Sequence, residues 1–457
     1  MSFISKNPYT RKLLKKVPAW SQQTSAKAIH ELYNEYLENR EIGPEERKEK
    51  VKRELESLAD SLTKHKKDLA EMLTTEMGKL ITNSEGEIQK TILHCRWYAN
   101  KADELLATKN IKTDPGARTG YFLDPIGVAY KIVPFNFPIW IGMKMIAPTM
   151  LTGNTVLLRS AGSTPQTFEI LQRVFEDADF RAAKVGFVSD KDTEYLMSMP
   201  EVVGVSFTGS TPAGSRVAEA AAKHLKRTVL ELGGNDPFIV FDDADIDLAV
   251  TLATRSRMAN AGQVCFSSKR FIIERTVIDK FAIKLAEKLN EFKVGDPMDR
   301  NTKLGPLARD DLTVTYLNQL ARAIKGGDKV LYGNIQPEGN LVSASIFRVD
   351  DPYKSVLTTE EVFGPCFALM PFRTPEEAIE IANSSQYGLG ATIVSKNTKF
   401  AEGFARLIDS GLVYINNAVG SESALPCGGV KQSGYGRDLA HYGVESFANI
   451  KTFSLRP

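Results

Sequence analysis

From "SAKAIHELYNEYLENR" through "EERKEKVKRELESLADSLTKHKKDLAEMLTTEMGK" apolar residues recur at intervals of three and four with charges between them, which predicts successive amphipathic helices stopping near Gly78. The pattern then changes. "TGYFLDPIGVAYKIVPF" predicts β-structure around a Pro-Ile-Gly turn, and "GNTVLLRS" a buried strand feeding the helix "TPQTFEILQRVFEDA". "VVGVSFTGS" repeats that order ahead of the helix "TPAGSRVAEAAAKHL". Strand, Gly/Ser/Thr turn and helix in succession predict a parallel α/β sheet with ligands at the carboxyl ends of its strands, so residues up to about 230 read as a nucleotide-binding unit. A second α/β domain follows, with strands "KRFIIE", "ATIVSK" and "GLVYIN" and helices "VIDKFAIKLAEKLNEF" and "PEEAIEIANSS".

At 457 residues, 42% hydrophobic and 25% charged, the chain has room for two or three globular domains. A net charge of +2 with both signs mixed throughout points away from nucleic acid and toward small-molecule chemistry. Cys95, Cys265, Cys366 and Cys427 are far apart, with no CxxC pair and no zinc-ligand spacing, so neither a disulfide framework nor a metal site is expected, and a reducing cytoplasm fits. Lys144 interrupts the best apolar run, "IWIGMKMIAPTML", so no membrane span is expected. Before the first acid, Glu31, the chain carries Lys6, Arg11, Lys12, Lys15, Lys16 and Lys27, the composition of a transit peptide. Pro8 and Pro18 interrupt the amphipathic helix such a peptide uses, and a basic surface is the expectation instead.

Five stretches carry candidate chemistry. In "ANAGQVCFSSKR" Cys265 sits among small residues with Lys269 and Arg270 nearby, a setting that permits a thiolate nucleophile but equally a small core residue. In "LELGGND" Glu231 ends a strand before Gly233 and Gly234, as a general base or a turn acid. In "PFNFPIW" Asn136 is an oxyanion donor that adds no charge, or a helix cap. Gly209 and Ser210 of "SFTGST" open a helix whose amides can receive a phosphate, although GxGxxG is absent. In "TEEVFGP" Glu361 can accept from ribose hydroxyls and Phe363 can pack on a planar base.

Taken in this order, "PFNFP", "GNTVLLR", "FTGST", "LELGG", "GQVC", "EEVFGP" and "PCGGVKQSGYGR" resemble the aldehyde dehydrogenase superfamily over nearly the whole chain. The 34 residues between Glu231 and Cys265 match the family's spacing of base and nucleophile. "GGNDPFIVFDDADIDLAV", "GQVCFSSKRFIIE" and the expected lack of an N-terminal hairpin make the short bacterial and archaeal succinate-semialdehyde dehydrogenase branch the most similar one. The resemblance implies an α/β fold with a Rossmann-like cofactor domain at 1–104 and 127–231 and an α/β catalytic domain at 232–423. It adds a small β oligomerisation extension at 105–126 and 440–457, a return segment at 424–439, and a homodimer or homotetramer.

It also implies roles. Cys265 attacks the aldehyde, Asn136 and the Cys265 N–H hold the alkoxide, hydride leaves for the nicotinamide, and Glu231 activates water against the thioester. Phe135, in place of a usual tryptophan, joins Arg159, Gly162, Gly209, Ser210, Glu361 and Phe363 as the expected cofactor contacts. Arg159 and Gly162 stand where many members carry a lysine and a ribose-binding acid. Losing that acid removes repulsion from the site of a 2′-phosphate, so dual use of NAD and NADP leaning to NADP is expected.

Eight residues after Asn136, where succinate-semialdehyde enzymes carry a carboxylate-gripping arginine, stands Lys144, which could instead be a surface lysine. Six residues before the nucleophile, the second such arginine is replaced by Ala259, with Arg257 nearby. Lys144 and Arg257 are thus the expected substrate contacts. Oxidation of succinate semialdehyde is the expected reaction, with another small hydroxyaldehyde such as glyceraldehyde, or a CoA-acylating or thioester-hydrolysing activity, as the alternatives. Cys427, which replaces a usual phenylalanine, is expected to pack, and Asn235 has no role that the sequence explains.

Overall fold

The computed structural model describes residues 2–113 and 116–456; residues 1, 114, 115 and 457, which fall within the expected cofactor domain and oligomerisation extension, lie outside the described residues. A six-stranded sheet runs in the order Gly434–Tyr435, Arg227–Glu231, Val202–Thr208, Val128–Ile132, Thr155–Arg159, Ala183–Gly186, with its five longer strands parallel. A seven-stranded sheet runs Lys329–Tyr332, Ser345–Arg348, Cys366–Phe372, Ser268–Glu274, Asp236–Val240, Gly390–Val394, Leu412–Ile415, antiparallel only at its first pair. Central strands such as Val128–Ile132 and Gly390–Val394 are buried throughout, because helices cover both faces of a parallel sheet, and this is why they read as continuous apolar runs.

The N-terminal helices form where the three-four periodicity placed them. Ser21 caps Gln22–Glu41 by accepting from the Thr24 N–H, and Pro44–Lys64 and Lys66–Met77 follow. Gly78 ends the last of these at φ 79°, and a Cβ there would meet the rings of Pro306 and Pro8 at 2.7 and 2.8 Å. Ile81–Leu105, a helix the pattern reading left unassigned, comes next and packs on Pro138–Leu151, every residue of which is buried.

Of two expectations about β-structure, the first is met and the second is corrected. The residues around the Pro-Ile-Gly turn serve different sheets: Arg118–Asp124 pairs antiparallel with Asn449–Leu455 and Lys109–Ile111, while Val128–Ile132 joins the parallel sheet. The N-terminal hairpin expected to be missing is present, with Ser2–Lys6 antiparallel to Leu13–Pro18. Pro8 lies between its strands, where no ladder N–H is needed, and Pro18 ends the second. Its basic residues bridge outward, Lys6 to Asp310 at 2.5 Å and Lys15 to Glu169 at 2.8 Å. Among the described residues no helix is long and apolar enough to cross a membrane.

Candidate active site

Cys265 lies in the turn between the helix Ile246–Met258 and the strand Ser268–Glu274, and it lines two cavities at once. One, of about 510 Å³, also reaches Glu231, Lys144 and Trp140. The other, of about 380 Å³, is lined by Arg159, Gly209, Ser210, Glu361 and Phe363. Asn136 belongs to both, so the thiol and the carboxamide stand where two chambers meet.

The main chain around the thiol is tightly held. Lys269 Nζ, buried, donates to the carbonyls of Cys265, Ser267 and Val264 at 2.7, 3.0 and 3.1 Å, pinning the turn from below. Gly234 lies so close that a Cβ there would stand 2.6 Å from the Cys265 carbonyl oxygen, and one on Gly233 would stand 2.5 Å from the Glu361 carboxylate. Burial, and then the Glu231 charge, push the Cys265 thiol up to about 12 against the opposing field of Lys269. The resting thiol is therefore protonated at neutral pH.

Asn136 is buried just ahead of the helix Pro138–Leu151, and its Nδ2 gives one hydrogen to the Gln263 carbonyl at 2.9 Å, leaving the other. It does not cap that helix. The cap comes from Glu87 on Ile81–Leu105, whose Oε1 accepts from the N–H groups of Ile139 and Trp140 at 3.0 Å each, while its Oε2 pairs with the buried Lys79. Glu231 ends its strand as expected. Its Oε2 accepts from Lys144 Nζ at 2.5 Å, and its buried Oε1 has no partner among the described residues.

Of the two expected substrate contacts, Lys144 lines the larger cavity and Arg257 does not. Lys144 is not a surface lysine: its buried ammonium meets Glu231, Asp438 at 3.3 Å and Cys427 Sγ at 3.4 Å. Burial pushes its pKa down, but Cys427, Glu231 and Asp438 outweigh that and hold it well above the ordinary lysine range. Arg257, fully buried, gives Nε to the Cys366 carbonyl and Nη2 to that of Val362, both at 2.7 Å, and Nη1 to Ser267 Oγ at 3.2 Å, so it braces the loops instead of facing the cavity. Cys427, expected only to pack, is buried beside Lys144, and burial and then Glu231 push its thiol up.

Asn235 acquires a role: its Nδ2 donates to the carbonyls of Thr358 and Glu360, both at 2.8 Å, and so holds the loop that carries Glu361. Glu361 Oε1 accepts from the Gly234 N–H at 3.1 Å and lies 3.7 Å from Lys269. Phe363 meets Phe135 edge-on at 6.3 Å. Arg159 gives Nε to the Val188 carbonyl at 2.7 Å and pairs with Asp190 at 2.5 Å, and Gly162, exposed beyond the same strand, has open space where a side chain would be. Residues the sequence reading missed are Glu87, Lys90, Ser421 and Asp438. Glu87 left a trace, as a charge inside the apolar stripe of Ile81–Leu105.

A thiol at the junction of two chambers, with an amide donor and a carboxylate beside it, is an arrangement that suits covalent catalysis on a carbonyl compound. The chain belongs to the aldehyde dehydrogenase family, whose model matches residues 2–453, and is thus an NAD(P)-dependent oxidoreductase acting on aldehydes. It is 34% identical over 453 residues to a succinate-semialdehyde dehydrogenase [NADP(+)] of Deinococcus radiodurans, covering 98% of this chain and 94% of the relative. The solved succinic semialdehyde dehydrogenase of Streptococcus pyogenes in complex with NADP+ superposes with a TM-score of 0.96 at 34% identity, covering 100% of both chains. The glyceraldehyde-3-phosphate dehydrogenase of Methanocaldococcus jannaschii complexed with NADP gives 0.92 at 28%, covering 100% of this chain and 99% of that one.

Proposed function

We propose that this enzyme oxidises succinate semialdehyde to succinate with NADP, adding water and releasing two protons, through a thiohemiacetal and a thioester on Cys265. The position of Cys265 in the wall of both cavities carries this reading, because one sulfur is then reachable by a cofactor from one side and an aldehyde from the other. The names of the relatives support the choice of substrate and cofactor.

The cleft fits a dinucleotide. Ser210 and the first turn of Thr211–Lys223 offer amides to a phosphate, Glu361 offers a carboxylate to ribose hydroxyls, and the open position at Gly162 leaves room for a 2′-phosphate near Arg159. Bound there, NADP would supply the hydride acceptor. The thiol must first lose its proton, and the unpartnered Glu231 Oε1 is an acceptor within its field. As the sulfur adds to the aldehyde carbon, the free Nδ2 hydrogen of Asn136 and the Cys265 N–H, which meets no acceptor among the described residues, donate to the alkoxide. Glu231, kept in place by Lys144, then takes a proton from the water that attacks the thioester.

The domain limits 1–104 with 127–231, 232–423, 105–126 with 440–457, and 424–439 form part of the proposal, and the two large sheets are consistent with them. The exposed Ile111, Ile450 and Leu455 of the three-stranded sheet support its use in a dimer or tetramer, and a cytoplasmic setting accords with four free cysteines.

The test is to mix the enzyme with NADP or NAD and a panel of short aldehydes and follow reduced-cofactor absorbance, with and without CoA. The expected outcome is turnover of succinate semialdehyde without CoA and a higher kcat/KM with NADP. Turnover only when CoA is present would replace the reading with an acylating one, and a clear NAD preference would remove the argument from Arg159 and Gly162.

A further inference from the structure

Behind the sulfur sits a cation that the steps above leave unused. Lys269 stands at the start of the strand Ser268–Glu274, is buried, and lines neither of the chambers that meet at Cys265. Its Nζ reaches three acceptors, the carbonyls of Cys265, Ser267 and Val264 at 2.7, 3.0 and 3.1 Å. Three acceptors take three hydrogens, so the group is an ammonium. Burial pulls its pKa below the ordinary lysine range, and of the groups facing it Glu361, Asp236 and Cys265 favour the charge while Arg257 opposes it.

The contact with Val264 sets a direction. In a trans peptide the carbonyl and the next residue's N–H point opposite ways, and no cis peptide occurs among the described residues. Lys269 shares the Val264 carbonyl with the Ser267 N–H, which lies at 3.2 Å, and draws it toward the buried side. The Cys265 N–H is thereby turned the other way, toward the junction of the two chambers, and it meets no acceptor among the described residues. The same ammonium lies 3.7 Å from Oε1 of Glu361, whose side chain lines the cofactor cleft. One lysine thus holds the turn of the nucleophile and the carboxylate of the cofactor side together.

We propose that Lys269 is a positioning residue of the hydride-transfer step, aiming the Cys265 N–H at the alkoxide and keeping the sulfur in register with Glu361. It acts through the turn and touches neither substrate nor cofactor. The proposal rests on the aldehyde dehydrogenase reading above.

The test is Lys269→Met, which keeps an unbranched side chain in place and removes the charge and all three donors. Three quantities are compared with the unaltered enzyme: the first-turnover rate of NADP reduction by succinate semialdehyde, NADP affinity by fluorescence quenching, and the rate at which iodoacetamide alkylates Cys265 across a pH series. The first-turnover rate should fall on the order of a hundredfold, the scale of one misdirected oxyanion donor, while KM and NADP affinity change by no more than about fivefold. Alkylation should slow about tenfold at neutral pH, because only the thiolate reacts and a cation that favours it is gone. A first-turnover rate within about threefold of the unaltered enzyme overturns the proposal, whatever the alkylation rate does. So does a loss of NADP affinity as large as the loss of rate, since Lys269 would then serve binding. If Lys269→Met is insoluble, the double variant Asp236→Asn with Lys269→Met, which also removes the buried carboxylate that Lys269 offsets, is read in the same way. A double variant that fails to fold overturns the proposal by making Lys269 part of the fold alone. Failure of the unaltered enzyme with every aldehyde would instead sink the parent reading.

Discussion

On the cofactor side of Cys265 the wall includes main chain at strand ends, at Gly209 and Gly233 and in the first turn of a helix, and Gly234 packs against the Cys265 carbonyl behind it. On the substrate side it is largely side chain, with Lys90, Trp140, Lys144 and Ser421 brought from a long helix, a buried helix and a distant loop. A main-chain wall needs particular residues at adjacent positions, because only glycine lets two backbones approach so closely. A side-chain wall needs only that three unrelated elements converge, and each contributes one or two residues with ordinary neighbours.

The sharpest way to break this contrast is Gly234→Ala, which removes no functional group. Its methyl would stand 2.6 Å from the Cys265 carbonyl oxygen, so kcat/KM for every aldehyde should fall by on the order of a hundredfold or more, as expected when a reacting atom is displaced by about an ångström. Activity near normal would show that the main-chain wall yields, and that its glycines are not what fixes the sulfur. Next in size is Asn136→Ala, at the boundary between the two sides. Turnover should drop about a hundredfold, the scale of losing one oxyanion donor, while NADP binding measured by fluorescence quenching stays near its original strength. Equal loss of both would make Asn136 part of the wall instead of part of the chemistry.

The smallest effect belongs to the substrate side and to pH. Lys90 lines the larger cavity, and burial and then the Lys144 charge push its pKa down to about 8. Only its protonated form attracts the carboxylate of succinate semialdehyde, so KM for that aldehyde should be flat below this value and rise several-fold toward pH 9.5 as the free enzyme loses the charge. The groups facing Lys90 are Lys144, Glu87, Glu422 and Cys427, and the charge of Lys144 persists because its pKa is held high. KM for butanal has no such term. Parallel profiles for the two aldehydes would place the anion elsewhere.

The same contrast explains what could be read from the sequence. Gly209, Glu231, Gly233, Cys265 and Glu361 sit in short motifs where function constrains consecutive residues, and all line the two cavities that meet at the sulfur. The parallel strands were legible because covering helices demand unbroken apolar runs. Lys144 was singled out by its distance from Asn136, but its partners Glu231 and Asp438 are 87 and 294 residues away, and no local pattern reports that they pair with it. Arg257 is near Cys265 in sequence, whereas its guanidinium turns into the protein to meet the segment Val362–Cys366 and Ser267. The N-terminal hairpin escaped because its second strand is exposed at all but one position and has no apolar alternation to announce it.

Glu87 gives this arrangement a cost in adaptability. One carboxylate on the helix of Lys90 holds the opening turn of the helix that follows Asn136 and carries Lys144. The element that lines the substrate cavity and the element that stabilises the reacting oxygen are thus hinged to each other. A substitution that tilts Ile81–Leu105 to admit a longer or bulkier aldehyde would drag the oxyanion donor with it. Lineages acquiring new substrates on this scaffold should therefore exchange side chains at Lys90 and Ser421 far more readily than they remodel the helix, and selection for breadth would be visible first as changed tips on an unchanged frame.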